Sequence, residues 1–279
     1  MESSLNLCDI LPSHELSEPY RRQIETGSFS YGRIYIGSYF CANRFLTLKM
    51  QATQKFLKAA SAHRVPLSLV VPILTQSHLA SGMALMRELL RNDAIGIDEI
   101  VVNDLGMMKA VHDLFPVPIV AGRMLNKTYR DIRNREYYNI DALPKCLNEF
   151  YLSLYDRYRI QTVEMDNYAA NTTIPASFDR FLIGVHTPLC YVTRCNICEF
   201  AAISKPIQKK FRAADACKLE CMDRYIVYRN REGQEAEHYK IGCGVYYVNE
   251  GCHVQASRVR LIYNPYLDEV KNADFSTVK

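Results

Sequence analysis

No apolar run in the 279 residues approaches the roughly 18 needed to cross a bilayer as a helix, so no transmembrane helix is expected. The opening stretch MESSLNLCDILPSHELSEPY has early acidic residues and no basic segment ahead of an apolar one. It does not read as a signal peptide, and the expected compartment is the reducing cytoplasm. Charge of neither sign dominates: 34 basic against 30 acidic residues give +4, which neither demands nor excludes a nucleic-acid partner. G-x-G-x-x-G after a strand is missing, as is G-x-x-x-x-G-K-[ST], which removes the usual dinucleotide and nucleotide-phosphate fingerprints. G-x-S-x-G and H-E-x-x-H are missing too, so the serine- and zinc-hydrolase signatures are excluded. There is no internal repeat, low-complexity segment or clear linker. A hydrophobic fraction of 48% is enough for a sizeable core, and the length suits a single barrel-sized domain.

What is present is a repeated theme of β-rich apolar run, polar loop and helical pattern. Strands are predicted at 33–40, 66–74, 98–104, 117–122, 160–166 and 178–186, and helices at 43–64, 80–92, 105–115 and 146–159. Continuous Val/Ile/Leu strands alternating with helices point to a parallel sheet covered on both faces. The number of units favours a (β/α) TIM-like barrel over a doubly wound sheet. Residues 1–30 read as an N-terminal extension, and 187–222 as a cysteine-rich, loop-like segment. Residues 225–230 and 244–249 read as a small hairpin region, and 257–263 as a late strand able to close the barrel.

Half of the ten cysteines fall between Cys190 and Cys221. In a reducing compartment, metal or catalysis is the better reading than disulfides. Thiolates are soft ligands suited to zinc, copper(I) or iron–sulfur clusters. Cys195-x2-Cys198 with Cys217-x3-Cys221 has the pairing of a structural zinc site. Cys190-x4-Cys195-x2-Cys198 with a distant cysteine has plant-type ferredoxin spacing. Free buried cysteines acting as small hydrophobes are the alternative to both. Cys41 follows a strand, as the later cysteines do, so a barrel could bring it to the same face. Cys8 and Cys146 read as structural, and Cys243 and Cys252, near the hairpin region, as ambiguous.

The ordered set of IYIGSYFCANR, NDLGMM, PIVAGRMLN, TVEMD, HTPLCYVTRC and ACKLEC resembles the collagenase-like peptidase U-32 superfamily, and within it the UbiV-like branch. The likeness runs in order over roughly residues 30 to 225. It implies a barrel with one 4Fe-4S cluster, taking part in oxygen-independent hydroxylation in ubiquinone biosynthesis. The implied partner is a larger UbiU-like paralogue in a heterodimer, and the implied substrate a small aromatic quinone precursor. By position the implied ligands are Cys41, Cys195, Cys217 and Cys221. Cys190 is the runner-up for the fourth place, because larger members of the superfamily carry a cysteine there. Cys198 has no counterpart, and the interval from Cys195 to Cys217 is longer than in the branch, with ISKPIQKKF as an added loop. Other members hydroxylate RNA bases, which makes RNA an alternative partner. A non-enzymatic zinc- or cluster-stabilised binding subunit is a further alternative.

Strand-end polar residues complete the candidates. Glu164, His186 and Asp104 are candidates for proton transfer or substrate contact, with Asp166 beside Glu164. Asp104 is equally placed to cap the following helix. Asn126 could face the same centre. His186 could also donate to a cluster sulfur. Arg194 is placed to offset thiolate charge, and Arg123 and the RDIRNREYY run (130–138) to bind an anion. ISKPIQKKFR (203–212), with Lys209, Lys210 and Arg212, is the most basic stretch and the candidate RNA contact.

Overall fold

The computed structural model describes residues 2–125, 146–167, 172–203, 205–210, 217–228, 237–250 and 254–272. In chain order the elements are β1 (Glu2–Asn6), α1 (His14–Glu25), β2 (Arg33–Gly37), α2 (Ala42–Leu46), α3 (Gln51–Ala62), β3 (Leu67–Val71), α4 (Gln76–Arg91), β4 (Ile97–Val102), α5 (Leu105–Leu114) and β5 (Ile119–Ala121). There follow α6 (Glu149–Arg157), β6 (Thr162–Asp166), β7 (Thr172–Thr173), β8 (Leu182–Thr187), β9 (Leu189–Arg194), α7 (Glu199–Ala202) and β10 (Ile226–Tyr228). The chain ends with β11 (His238–Ile241), β12 (Gly244–Val248), β13 (Val254–Gln255), β14 (Val259–Tyr263) and α8 (Tyr266–Asn272). Eight parallel strands close into a barrel in the order β1-β14-β8-β6-β5-β4-β3-β2, as the alternation of elements predicts. β14 closes it, as expected for 257–263, by pairing β1 on one side and β8 on the other.

Several boundaries differ from the expectation, each for a physical reason. Residues 1–30 are not an extension. β1 is a barrel strand between β14 and β2, and α1 starts at a Ser13 cap whose side chain accepts from the Leu16 amide. The helix expected over 43–64 is broken at Met50, which has extended backbone. The break is tolerated because side chains satisfy nearby carbonyls: Thr47 donates to Arg44 O at 2.6 Å and Gln54 to Leu48 O at 2.7 Å. The stretch after Thr187 is not all loop. β9 turns back and pairs β12, building the antiparallel sheet β10-β11-β12-β9 where a small hairpin region was expected. Among the described residues no helix is long and apolar enough to cross a membrane.

The register assigns each strand residue to a face. Leu5, Ile34, Ile36, Leu69, Ile100, Val102, Val163, Met165, Ile183 and Val185 are at most 1% exposed and lie on the face turned to the helices. Each such side chain contributes about 1.5–3 kcal/mol by leaving water. The opposite face lines the interior, and here Asn6, Tyr35, Ser68, Glu99, Glu164, Asp166, His186 and Arg260 occupy linked register positions. Barrel interiors are usually layers of branched apolar side chains. Polar groups buried here must instead find partners.

At the mouth formed by strand N-termini they do. Glu99 accepts from Ser68 Oγ at 2.6 Å and Arg260 Nη1 at 2.6 Å. Arg260 also donates to Tyr35 Oη at 2.9 Å and pairs Glu2 at 3.0 Å. This buried network is structural, in keeping with its place at the mouth that barrels do not use for chemistry.

One backbone position sets how closely β2 and β3 approach. Gly37 has φ +108°, and a β-carbon there would collide with the Val70 carbonyl oxygen. Gly37→Ala is therefore expected to lower the urea midpoint of unfolding by the equivalent of at least about 1–3 kcal/mol. The same substitution at Gly96, where a methyl meets nothing within 4 Å, should cost under about 1 kcal/mol.

Candidate functional site

At the C-terminal mouth two buried clusters share a wall. The first is carboxylate, imidazole and phenol. Glu164 on β6 and His186 on β8 point inward from neighbouring strands, with Glu164 Oε2 3.1 Å from His186 Nε2. Tyr39, just past β2, donates to the same Oε2 at 3.0 Å, and its ring meets His186 edge-on at 5.0 Å. Gly184 makes room for this, since a β-carbon there would lie 3.1 Å from Glu164 Cγ. Burial pushes the Glu164 carboxyl up to about 8, opposed by the Tyr39 hydrogen bond and by Arg123. Burial, then the Arg123 charge, holds the His186 imidazole well below its usual range. Both groups are therefore neutral near pH 7, which suits a pair that passes a proton.

Arg123, buried to 1%, forms an ion pair with Asp166 and donates to Leu189 O at 2.8 Å. Its guanidinium lies 5.6 Å, 6.0 Å and 5.8 Å from the ring centres of Tyr39, Tyr191 and Tyr246. Tyr191 comes from β9 and Tyr246 from β12, so Arg123 fastens the antiparallel sheet over the mouth. The Tyr191 amide donates to Asp166 Oδ1 at 2.9 Å and completes the tie.

The second cluster is a thiol cleft. Cys41, Cys198, Cys217, Cys221 and Cys243 line it together with Phe40, Asn43, His78, Lys205 and Lys210. Cys41 caps α2, and its amide is held at 3.1 Å by Ser38 Oγ. Cys243 sits against Cys41 and Cys198 and draws Cys41 down to about 7 and Cys198 to about 6, its own value rising in return. Burial raises Cys217 and Cys221. Two buried cations flank the sulfurs. Arg44 Nε donates to Cys221 Sγ at 3.4 Å and pairs Asp9 at 2.7 Å. Lys240, 1% exposed, donates to Cys243 O at 3.4 Å and lowers Cys198 by its charge. No carboxylate pairs with Lys240 among the described residues. Buried cations beside several thiols are the setting that an anionic metal–thiolate group requires.

Of the expected ligands, Cys41, Cys217 and Cys221 meet in this cleft. Cys195 does not: it is exposed, and its sulfur accepts from the Ile197 amide at 3.3 Å. Cys190 does not either. It is fully buried, donates to Asn167 O at 3.2 Å and is pushed up to about 12 by burial. Cys198 and Cys243 line the cleft beside them. The turn Ile241–Gly242–Cys243–Gly244 carries the second, and a cysteine between glycines at a hairpin turn was the available signal. Among the described residues no three His, Cys, Asp or Glu side chains converge tightly enough for one metal ion.

Asp104 caps α5 by accepting from the Met107 amide at 2.8 Å, the alternative its position offered. Its neighbour Asn103 is the buried one, donating to Val71 O at 3.0 Å. Arg123 faces inward to Asp166 rather than outward to an anion, and Arg194 donates to Asn196 rather than to a thiolate. Asn126, residues 130–138, Arg212 and Cys252 lie outside the described residues. The two clusters adjoin through consecutive residues: Tyr39 serves the barrel centre, while Phe40 and Cys41 line the cleft. Phe40 also stacks on Tyr191 at 4.6 Å.

Comparison with known protein families, with curated proteins and with solved structures returns no match.

The Glu164 environment gives a pH signature. Its folded value lies above the unfolded 4.5, so the fold favours the protonated form, and stability falls as pH rises from about 4.5 to about 8. Glu164→Gln removes that dependence. Melting temperatures of both proteins between pH 5 and pH 9 should show the variant gaining on the wild type up to about pH 8 and holding level above it. Parallel curves would mean that Glu164 is ionised in the fold.

Proposed function

We propose that this chain is an iron–sulfur protein taking part in oxygen-independent hydroxylation. In this reading it works beside a larger UbiU-like paralogue on an aromatic precursor of ubiquinone. The observation that carries the reading is the gathering of five cysteines in one cleft, flanked by buried Arg44 and Lys240, against a barrel mouth holding Glu164 and His186. Cys41, Cys217 and Cys221 would hold a 4Fe-4S cluster, with Cys198 or Cys243 as the fourth ligand in place of Cys195. A single zinc ion needs its thiolates about 3.8 Å apart around one point, as its ~2.3 Å bonds dictate. Zinc held by four of these same thiols is the competing occupant, and metal content separates the two.

A bound cluster supplies one-electron transfer. The chain's own residues supply the rest. Glu164 and His186 are placed to hold or move one proton at the centre of the barrel mouth. Tyr39 holds the Glu164 oxygen in position, and the Arg123–Asp166 pair ties the antiparallel sheet to the mouth.

A second reading has its own support. Lys205 and Lys210 line the thiol cleft, where they could meet a nucleic-acid phosphate, so hydroxylation of an RNA base is the alternative. Crosslinking of transfer RNA to Lys205 or Lys210 would favour it.

Anaerobically purified protein should carry about four irons and four sulfides per chain. Cys41→Ala and Cys221→Ala should lose most of that iron, while Cys190→Ala and Cys195→Ala should keep it. Zinc in place of iron would remove the redox reading and leave a structural metal site.

A further inference from the structure

Two asparagines at the mouth are not used by the reading above. Asn6 ends β1 and Asn264 follows β14, strands that are neighbours in the barrel. They stand one step beyond the register pair Leu5–Tyr263, so they face each other across the gap of about 4.8 Å between adjacent strands. Both turn inward. Asn6 is in register with Tyr35, whose hydroxyl lies in the interior, and Asn264 follows inward-facing Ile262 by two residues. They are 1% and 3% exposed.

The orientation of each carboxamide is fixed by the backbone. Asn6 Oδ1 accepts from the Cys8 amide at 3.1 Å, and Asn264 Oδ1 from the Tyr266 amide at 3.0 Å. Each Nδ2 must then be the inward end, and each is a buried donor with no acceptor. Two further buried atoms at this mouth share that condition: Glu164 Oε1 and His186 Nδ1. The Asn264 amide donates to Thr187 O at 2.9 Å, which sets it beside His186 on the neighbouring strand. A buried unsatisfied donor costs about 1–3 kcal/mol, so several gathered at one barrel end call for a polar partner.

We propose that Asn6 and Asn264 form a pair of amide donors that bind the carbonyl oxygen of a small neutral ligand, set against Glu164 and His186. The proposal rests on the reading that Glu164 and His186 are the reacting pair. Neutrality follows from the balance of charge, because Arg123 is already matched by Asp166 and an anion would bring a charge with nothing to offset it. Two N–H donors call for an acceptor such as a carbonyl oxygen, and a purely apolar group would leave them unpaired.

Three probes of one shape test this: benzamide, benzoate and toluene, titrated into the whole wild-type protein and followed by NMR. Asn6→Asp and Asn264→Asp keep the oxygen that holds each turn and remove the NH2 donor. Benzamide should bind the wild type in preference to benzoate and toluene, and bind each variant at least tenfold more weakly. Equal binding to the variants, tighter binding of benzoate, or no binding of benzamide would overturn the proposal and leave internal water as the partner of these groups. Should a variant not fold, wild type labelled with 15N-asparagine decides instead. The side-chain amide signals of Asn6 and Asn264 should shift with benzamide, and unmoved signals overturn the assignment. Iron content is measured on the same samples. Its absence would sink the cluster reading while leaving the benzamide result to stand or fall alone.

Discussion

A barrel interior lined with ionisable side chains must neutralise them in place, and this constraint organises the molecule. A lone buried charge costs far more than a domain's net stability, so each one needs a partner at hydrogen-bonding distance. At the N-terminal mouth the solution is Glu99 between Arg260 and Ser68. At the C-terminal mouth it is Arg123 with Asp166, and a Glu164 kept neutral between Tyr39 and His186. The first arrangement matches its charges within the network. The second leaves atoms of Glu164, His186, Asn6 and Asn264 unpaired, at the strand ends where parallel barrels place their chemistry.

The antiparallel sheet follows from the same constraint. A guanidinium buried at the barrel mouth needs more than one carboxylate, and Tyr191 and Tyr246 supply π-faces from β9 and β12. Seating them brings the rest of the sheet with them. Cys243, in the turn before β12, and Lys240, on β11, thereby come to the cleft that Cys41 enters from the barrel side. The thiol cleft is thus assembled by the tie that closes the mouth.

Much of the fold was legible. Val/Ile/Leu runs such as LSLVV and EIVV announce strands because their outward side chains pack under helices, and the 3.6-residue spacing of 80–92 reports one buried helix face. Glu164 and His186 were legible as strand-end polar residues, since in a parallel barrel every strand end reaches the same face. β1 was missed because ESSLN carries its polar residues inward, the reverse of the expected pattern. β11 was missed because HYKI sits in a stretch that reads as a turn.

By itself the sequence determined the barrel, its closing strand and the presence of a thiol-rich segment, since period and composition are local properties. Which cysteines meet was decided only by tertiary structure. Cys195 and Cys198 differ by three positions along the chain, yet one faces solvent and the other the cleft, because the chain turns between β9 and α7. Cys243 joins them from a hairpin turn 45 residues past Cys198 in number, brought over by β12 pairing with β9. Sequence spacing records separation along the chain, whereas ligation depends on separation in space, and a sheet that folds back over a barrel mouth breaks the link between the two.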